Sequence, residues 1–138
     1  MNLLLAAITA WYLGASGDLQ LAQGGGDMRR LGGAGLRAGA YVAELLAVEG
    51  DVAIMENHAR LGVNGLWHWW GYERLDPFFA FGARGWLNGG DVGPMGGIGT
   101  FYHLDRHWSL RADIDATLGL ERKAEMIYGF SVGLQYEF

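Results

Sequence analysis

The sequence predicts an all-β fold: an eight-stranded antiparallel up-and-down transmembrane β-barrel. Three observations predict it. Large apolar residues alternate with small or polar ones at a period of two, the spacing of a strand with two unlike faces. Glycine is abundant at 24 residues while proline is scarce at 2, a balance that suits a curved sheet needing bends and close backbone approach. No run of eighteen apolar residues exists, so a membrane helix is not expected.

Composition bounds the rest. A chain of 138 residues has room for one domain. With 51% hydrophobic and 18% charged residues, disorder is excluded. The net charge of −5 argues against a nucleic-acid partner, which requires a basic face. Lys123 is the one lysine beside nine arginines. The absence of cysteine removes disulfides, thiolate metal sites and cysteine nucleophiles. No cofactor is expected.

Residues 1–9 read as a signal-like or lead-in segment, and the barrel proper as 10–138. The lead-in is favoured slightly, with a conventional export signal then lying upstream. Dividing the remainder at glycine and charge clusters gives eight strands of about the ~9–11 residues that a tilted membrane strand requires. The first, 10–22, carries Asp18 on its polar face. A long glycine-rich connection is expected at 23–31. The second, 32–42, carries Arg37, and the third, 44–54, carries Glu49 and Asp51. The fourth, 58–71, brings Arg60, and the fifth, 75–87, brings Arg84. A second long glycine-rich connection is expected at 88–95, followed by the sixth strand, 96–104.

The last two strands show the pattern best. In 107–119, Trp108, Leu110, Ala112, Ile114, Ala116 and Leu118 alternate with His107, Ser109, Arg111, Asp113, Asp115 and Thr117. In 124–138, Met126, Tyr128, Phe130, Val132, Leu134, Tyr136 and Phe138 alternate with Ile127, Gly129, Ser131, Gly133, Gln135 and Glu137. Tight connections are expected near 43, 72–75 and 104–107, so short and long connections alternate along the chain.

Strand parity puts Asp18, Arg37, Glu49, Asp51, Arg60, Arg84, Arg111, Asp113 and Asp115 on one face. A soluble barrel would solvate them outside. A membrane barrel turns them inward, where four arginines and five acids can pair across a narrow lumen. Aromatic placement decides for the membrane. Trp11, Tyr12, Tyr41, Trp67, Trp69, Trp70, Tyr72, Phe78, Phe79, Phe81, Phe101, Tyr102, Trp108, Tyr136 and Phe138 fall at one end of the proposed strands, as an interfacial girdle does. Trp11, Trp67, Trp69, Phe79, Phe81, Tyr102 and Trp108 are its leading members.

The terminal segment Tyr128-Gly129-Phe130-Ser131-Val132-Gly133-Leu134-Gln135-Tyr136-Glu137-Phe138 resembles the last strand of the OmpA-like, porin-family small outer-membrane barrels. Trp11-Tyr12-Leu13-Gly14-Ala15-Ser16 is similar to a first strand of that family. Leu46-Ala47-Val48-Glu49-Gly50-Asp51 and Trp108-Ser109-Leu110-Arg111-Ala112-Asp113 are similar to strands that follow periplasmic turns. The resemblance implies residence in the bacterial outer membrane, contact with outer-membrane lipid, and export through the barrel-assembly machinery. It implies that Leu134, Tyr136 and Phe138 form the assembly signal. It specifies architecture rather than activity. The expected function is a structural or interaction role in the cell envelope with a plugged lumen, with another envelope protein as a possible partner. A narrow pore or small-solute channel is the alternative.

Three further constellations carry chemistry in principle. His107, Ser109 and Glu121 imitate the base, the nucleophile and the orienting acid of outer-membrane lipid A deacylases, which are similar barrels. Parity places all three on the inner face, and strand length separates Ser109 from Glu121, so no enzyme is expected. His103, Asp105 and His107 lie in one turn but lack a fourth metal ligand. His58 and His68 are isolated. The glycine clusters at 32–35 and 93–99 contain no complete phosphate-binding fingerprint.

Overall fold

The computed structural model describes residues 10–24, 27–56, 58–69, 74–87, 92–119 and 126–138. Its elements are β1 (Ala10–Gly24), β2 (Asp27–Ala43), β3 (Leu46–Met55), β4 (His58–His68), β5 (Leu75–Trp86), β6 (Val92–His103), β7 (Trp108–Leu118) and β8 (Met126–Glu137). Each strand pairs antiparallel with its sequence neighbours, and β8 returns to β1 to close the barrel. Closure runs from Tyr12 opposite Glu137 to Gln23 opposite Met126. Every strand thereby has two partners, which satisfies its backbone and leaves no free edge.

The two faces are inverted relative to a soluble protein. Outward-facing Ile54, Val63 and Val132 are 73%, 65% and 66% exposed, whereas inward-facing Glu49 and Arg60 are 1% and 3% exposed. Along β3 burial alternates strictly, with Ala47, Glu49, Asp51, Ala53 and Met55 inside and Val48, Gly50, Val52 and Ile54 outside. Such a surface is stable where hydrocarbon rather than water surrounds it.

The connections depart from the expected alternation of short and long. At the end carrying the termini they span 44–45, 69–74 and 104–107; at the opposite end they span 25–26, 56–57, 87–91 and 119–125. The long connection expected at 23–31 is almost entirely strand. Leu21 pairs with Arg30 and Ala22 with Arg29, and the ladder continues to Gly24 opposite Asp27. The second expected loop also shortens, because Val92-Gly93-Pro94-Met95 join β6. Pro94 lies opposite Ala83 and faces outward. Trp69, expected within a strand that runs to 71, lies just past the end of β4, and its N–H donates to the Pro77 carbonyl. The lead-in segment 1–9 lies outside the described residues.

Two glycines show how the wall accommodates bulky side chains. Inward-facing Gly39 lies directly opposite Tyr12, whose ring occupies the space a β-carbon would need. Outward-facing Gly65 is likewise covered by the ring of Phe81 from β5. In both, an aromatic ring supplies the packing that the glycine lacks.

Candidate functional site

The alternation that turns apolar residues outward delivers polar ones to the barrel interior. Glu49 on β3 accepts hydrogen bonds from Arg111 Nη1 on β7 at 2.5 Å and from the Tyr12 hydroxyl on β1 at 2.8 Å. Arg111 Nε donates to Asp113 at 2.8 Å, and Arg37 Nη1 donates to the same oxygen at 2.9 Å. Arg37 also donates to Ser131 on β8 at 2.6 Å and stands 3.9 Å from Asp18. Asp18 is in turn 3.9 Å from Arg60, which is 3.4 Å from Asp51. Asn64 donates to the other oxygen of Asp51 at 2.7 Å. Arg84 and Asp115 form a further pair at 2.5 Å.

All nine charged residues expected on the inner face are therefore inside. Eight strands contribute to this chain of contacts or to the side chains around it, because an eight-stranded interior is only as wide as the side chains that fill it. The acids outnumber the arginines by five to four.

Below this layer, toward the termini, the lumen is floored by aromatic rings. Phe78 and Phe101 lie 5.0 Å apart between centroids, and the Arg111 guanidinium sits 4.9 and 5.2 Å above them. His68 stacks on Phe101 at 5.6 Å and meets Tyr41 at 5.3 Å, and Tyr41 meets Tyr12 at 5.8 Å. This corrects the expectation that all the aromatics of this end form a girdle. Tyr12, Phe78 and Phe101 are buried inside, with Tyr41 packed against them. The outward set comprises Trp11, Trp67, Trp69, Phe79, Phe81, Tyr102 and Trp108, all substantially exposed. Trp70 and Tyr72 lie outside the described residues. Leu134 and Phe138 face outward, and the Tyr136 ring packs between His107, Trp108 and Phe138.

The structure corrects the expectation that His107, Ser109 and Glu121 all lie on the inner face. His107 is not on the inner face. It lies in the exposed 104–107 turn, donates from Nδ1 to the Glu137 carbonyl at 2.9 Å and stacks on Tyr136. Ser109 is inside but bonds to His103 Nδ1 at 2.7 Å. Glu121 lies outside the described residues. The turn histidines point apart, and Asp105 caps the turn instead, accepting from the His107 and Trp108 amides at 2.8 and 2.9 Å. These two bonds, His107 first, hold the Asp105 carboxyl below its ordinary pKa. Among the described residues no group of three or more potential ligands is placed to hold a metal ion. His58 begins β4, whereas His68 is buried in the aromatic floor.

A cavity of about 10 Å³ lies among Arg37, Glu49, Asn64, Arg84, Arg111 and Asp113, and a second of about 10 Å³ lies beside Ser16, Arg37, Arg111 and Gln135. Each is at the lower limit for one water. Outside, a recess of about 800 Å³ in the lipid-facing wall includes Leu36, Ala38, Gly50, Val52, Val63 and Ala83.

A closed eight-stranded antiparallel barrel is the decisive geometry, and solved structures share that fold. The fold is that of the small outer-membrane β-barrels. Neisserial surface protein A superposes with a TM-score of 0.75 at 14% identity, over 93% of this chain and 97% of that one. Ail, the attachment invasion locus protein of Yersinia pestis, gives 0.70 at 11% identity, covering 94% and 98%. OprG from Pseudomonas aeruginosa gives 0.69 at 10% identity, covering 95% and 97%. No protein-family description matches the sequence, and no curated protein matches it.

Proposed function

We propose that this chain is a non-conducting barrel of the bacterial outer membrane with a structural or recognition role in the envelope. The observation that carries this reading is the filled interior. The chain of contacts from Tyr12 through Glu49, Arg111, Asp113, Arg37, Asp18 and Arg60 to Asp51 crosses the lumen, over an aromatic floor. The two small cavities beside this chain of contacts hold about one water each. A hydrated ion needs a continuous aqueous path, and breaking this chain exposes buried charges that have no other partner.

The reading places the partner on the outside of the barrel or at its rims: outer-membrane lipid around the wall, the assembly machinery at Leu134, Tyr136 and Phe138, and another envelope protein at the rims. The test is conductance in planar bilayers. Folded protein should give a flat baseline at moderate voltage. Reproducible single-channel steps from protein of confirmed heat-modifiable mobility would transfer the chain to the narrow-pore class.

A further inference from the structure

Among the described residues, the Arg84–Asp115 pair stands apart from the chain of contacts that runs from Tyr12 to Asn64. A cavity of about 10 Å³ lies between them, and Ala80 and Met95 complete its wall. Three of its lining side chains each carry one buried polar atom with no hydrogen-bond partner among the described residues: Glu49 Oε1, Asn64 Oδ1 and Arg84 Nε. Each of these residues is at most 5% exposed. In each, the rest of the polar group is already committed. Glu49 Oε2 accepts from both Tyr12 and Arg111, Asn64 Nδ2 donates to Asp51, and Arg84 Nη1 donates to Asp115. An ionised Asp51 can only accept, so the Asn64 amide must meet it nitrogen first, which leaves its oxygen turned away.

We propose that this cavity is a binding site for one water molecule, which donates to Glu49 Oε1 and to Asn64 Oδ1 and accepts from Arg84 Nε. Two acceptors and one donor match what a single water offers. The same three atoms reject charged ligands. An anion would face two acceptor oxygens, and a metal cation would face a guanidinium N–H. The charges around the cavity also balance, with Arg37, Arg84 and Arg111 against Glu49, Asp113 and Asp115, so no ion is called for. A buried water makes about three hydrogen bonds and needs roughly 10–15 Å³ of such space, and the site meets both conditions. Three buried polar atoms left unpaired would each carry a desolvation penalty that nothing offsets.

The bound water closes a ring. Contacts run from Glu49 through Arg111, Asp113, Arg37, Asp18, Arg60 and Asp51 to Asn64, and the water returns from Asn64 to Glu49. Its third bond attaches Arg84 and Asp115 as a branch, so all nine inward charges join one network. The second small cavity has no such grip, because Gln135 Oε1 is the one unpartnered buried atom of its lining among the described residues. The inference rests on the cavity and its three atoms, and conductance tests the proposed function separately.

The test is NOE and ROE transfer between water and methionine methyl groups in the folded barrel, with ¹³C-methyl methionine and deuterated detergent micelles. Met95 lines the cavity, whereas Met55 is also buried but lines neither small cavity. The Met95 methyl should show a cross-peak at the water frequency with NOE and ROE of opposite sign, the signature of a held rather than a diffusing water. Met55 should show none. Ala80→Val, whose added methyls enter the cavity, should lose the Met95 cross-peak, and Asn64→Leu, which removes one acceptor, should do the same. Heat-modifiable mobility verifies folding of each sample. A folded wild-type barrel with no water cross-peak at Met95, an equal cross-peak at Met55, or a Met95 cross-peak that survives in either folded variant would overturn the assignment.

Discussion

Replacing Arg111 with leucine removes the guanidinium that stands between Glu49 and Asp113. Asp113 keeps Arg37 at 2.9 Å. Glu49, whose side chain is 0% exposed, keeps only the neutral Tyr12 hydroxyl among its side-chain partners. One fully buried carboxylate thus loses its cation, a change that costs about 3–5 kcal/mol because desolvation of the charge is no longer offset. The contact of the guanidinium with Phe78 and Phe101 adds roughly 0.5–2 kcal/mol.

Removing the opposing charge as well should recover most of this loss, since an ion pair replaced as a unit leaves no orphan. Arg111→Leu combined with Glu49→Gln is therefore expected to be the more stable of the two variants, by about 2–3 kcal/mol. Urea titration of the barrel in lipid vesicles, followed by tryptophan emission and by mobility of unheated samples, measures both. A single substitution costing under about 1 kcal/mol, or a double variant as unstable as the sum of its parts, would refute the buried-network argument.

Other outcomes follow from the same structure. Ile114→Arg, at mid-strand on the lipid-facing side, should cost about 2–4 kcal/mol in the same vesicle titration; Leu110→Arg, nearer the strand end, should cost less, and the reverse order would contradict the placement of the wall in the bilayer. Gly39→Val should destabilise by about 1–3 kcal/mol, because its side chain enters the space of the Tyr12 ring; Gly17→Val should be nearly neutral, since nothing lies within 4 Å of its β-carbon position. The Asp105 carboxyl has a lowered folded pKa, so its capping of the 104–107 turn is fully present above the unfolded value of about 3.9 and is lost as pH falls through the lower folded value. Exchange of the His107 and Trp108 amides should accelerate, relative to other turn amides, only across that acidic window, and Asp105→Ala should abolish the difference.

The faces of the barrel were legible because two unlike environments were imposed on alternate residues. Asp18 shares parity with Tyr12, and Arg84 with Phe78, so the inward direction of those two rings was available from the strand pattern. Counting aromatics by chain end alone obscured it. The connection at 23–31 was misjudged because glycine occurs in loops and in the strands of a curved sheet alike, and only the pairing of Arg29 and Arg30 back onto β1 distinguishes them. The contact of Ser109 with His103 was not legible. It depends on the register across the 104–107 turn, which removes His107 from the strand and sets His103 opposite Ser109.

The connections at the end opposite the termini are unequal around the rim. The half built from β1 to β4 finishes in two-residue links at 25–26 and 56–57, whereas the half from β5 to β8 finishes in five- and seven-residue links at 87–91 and 119–125. The two longer links are neighbours, separated only by the β6–β7 pair. The chain thus spends twelve residues joining the strands of one half of this rim and four joining those of the other, so changes of length or sequence confined to those twelve leave the register of every strand in the wall as it is.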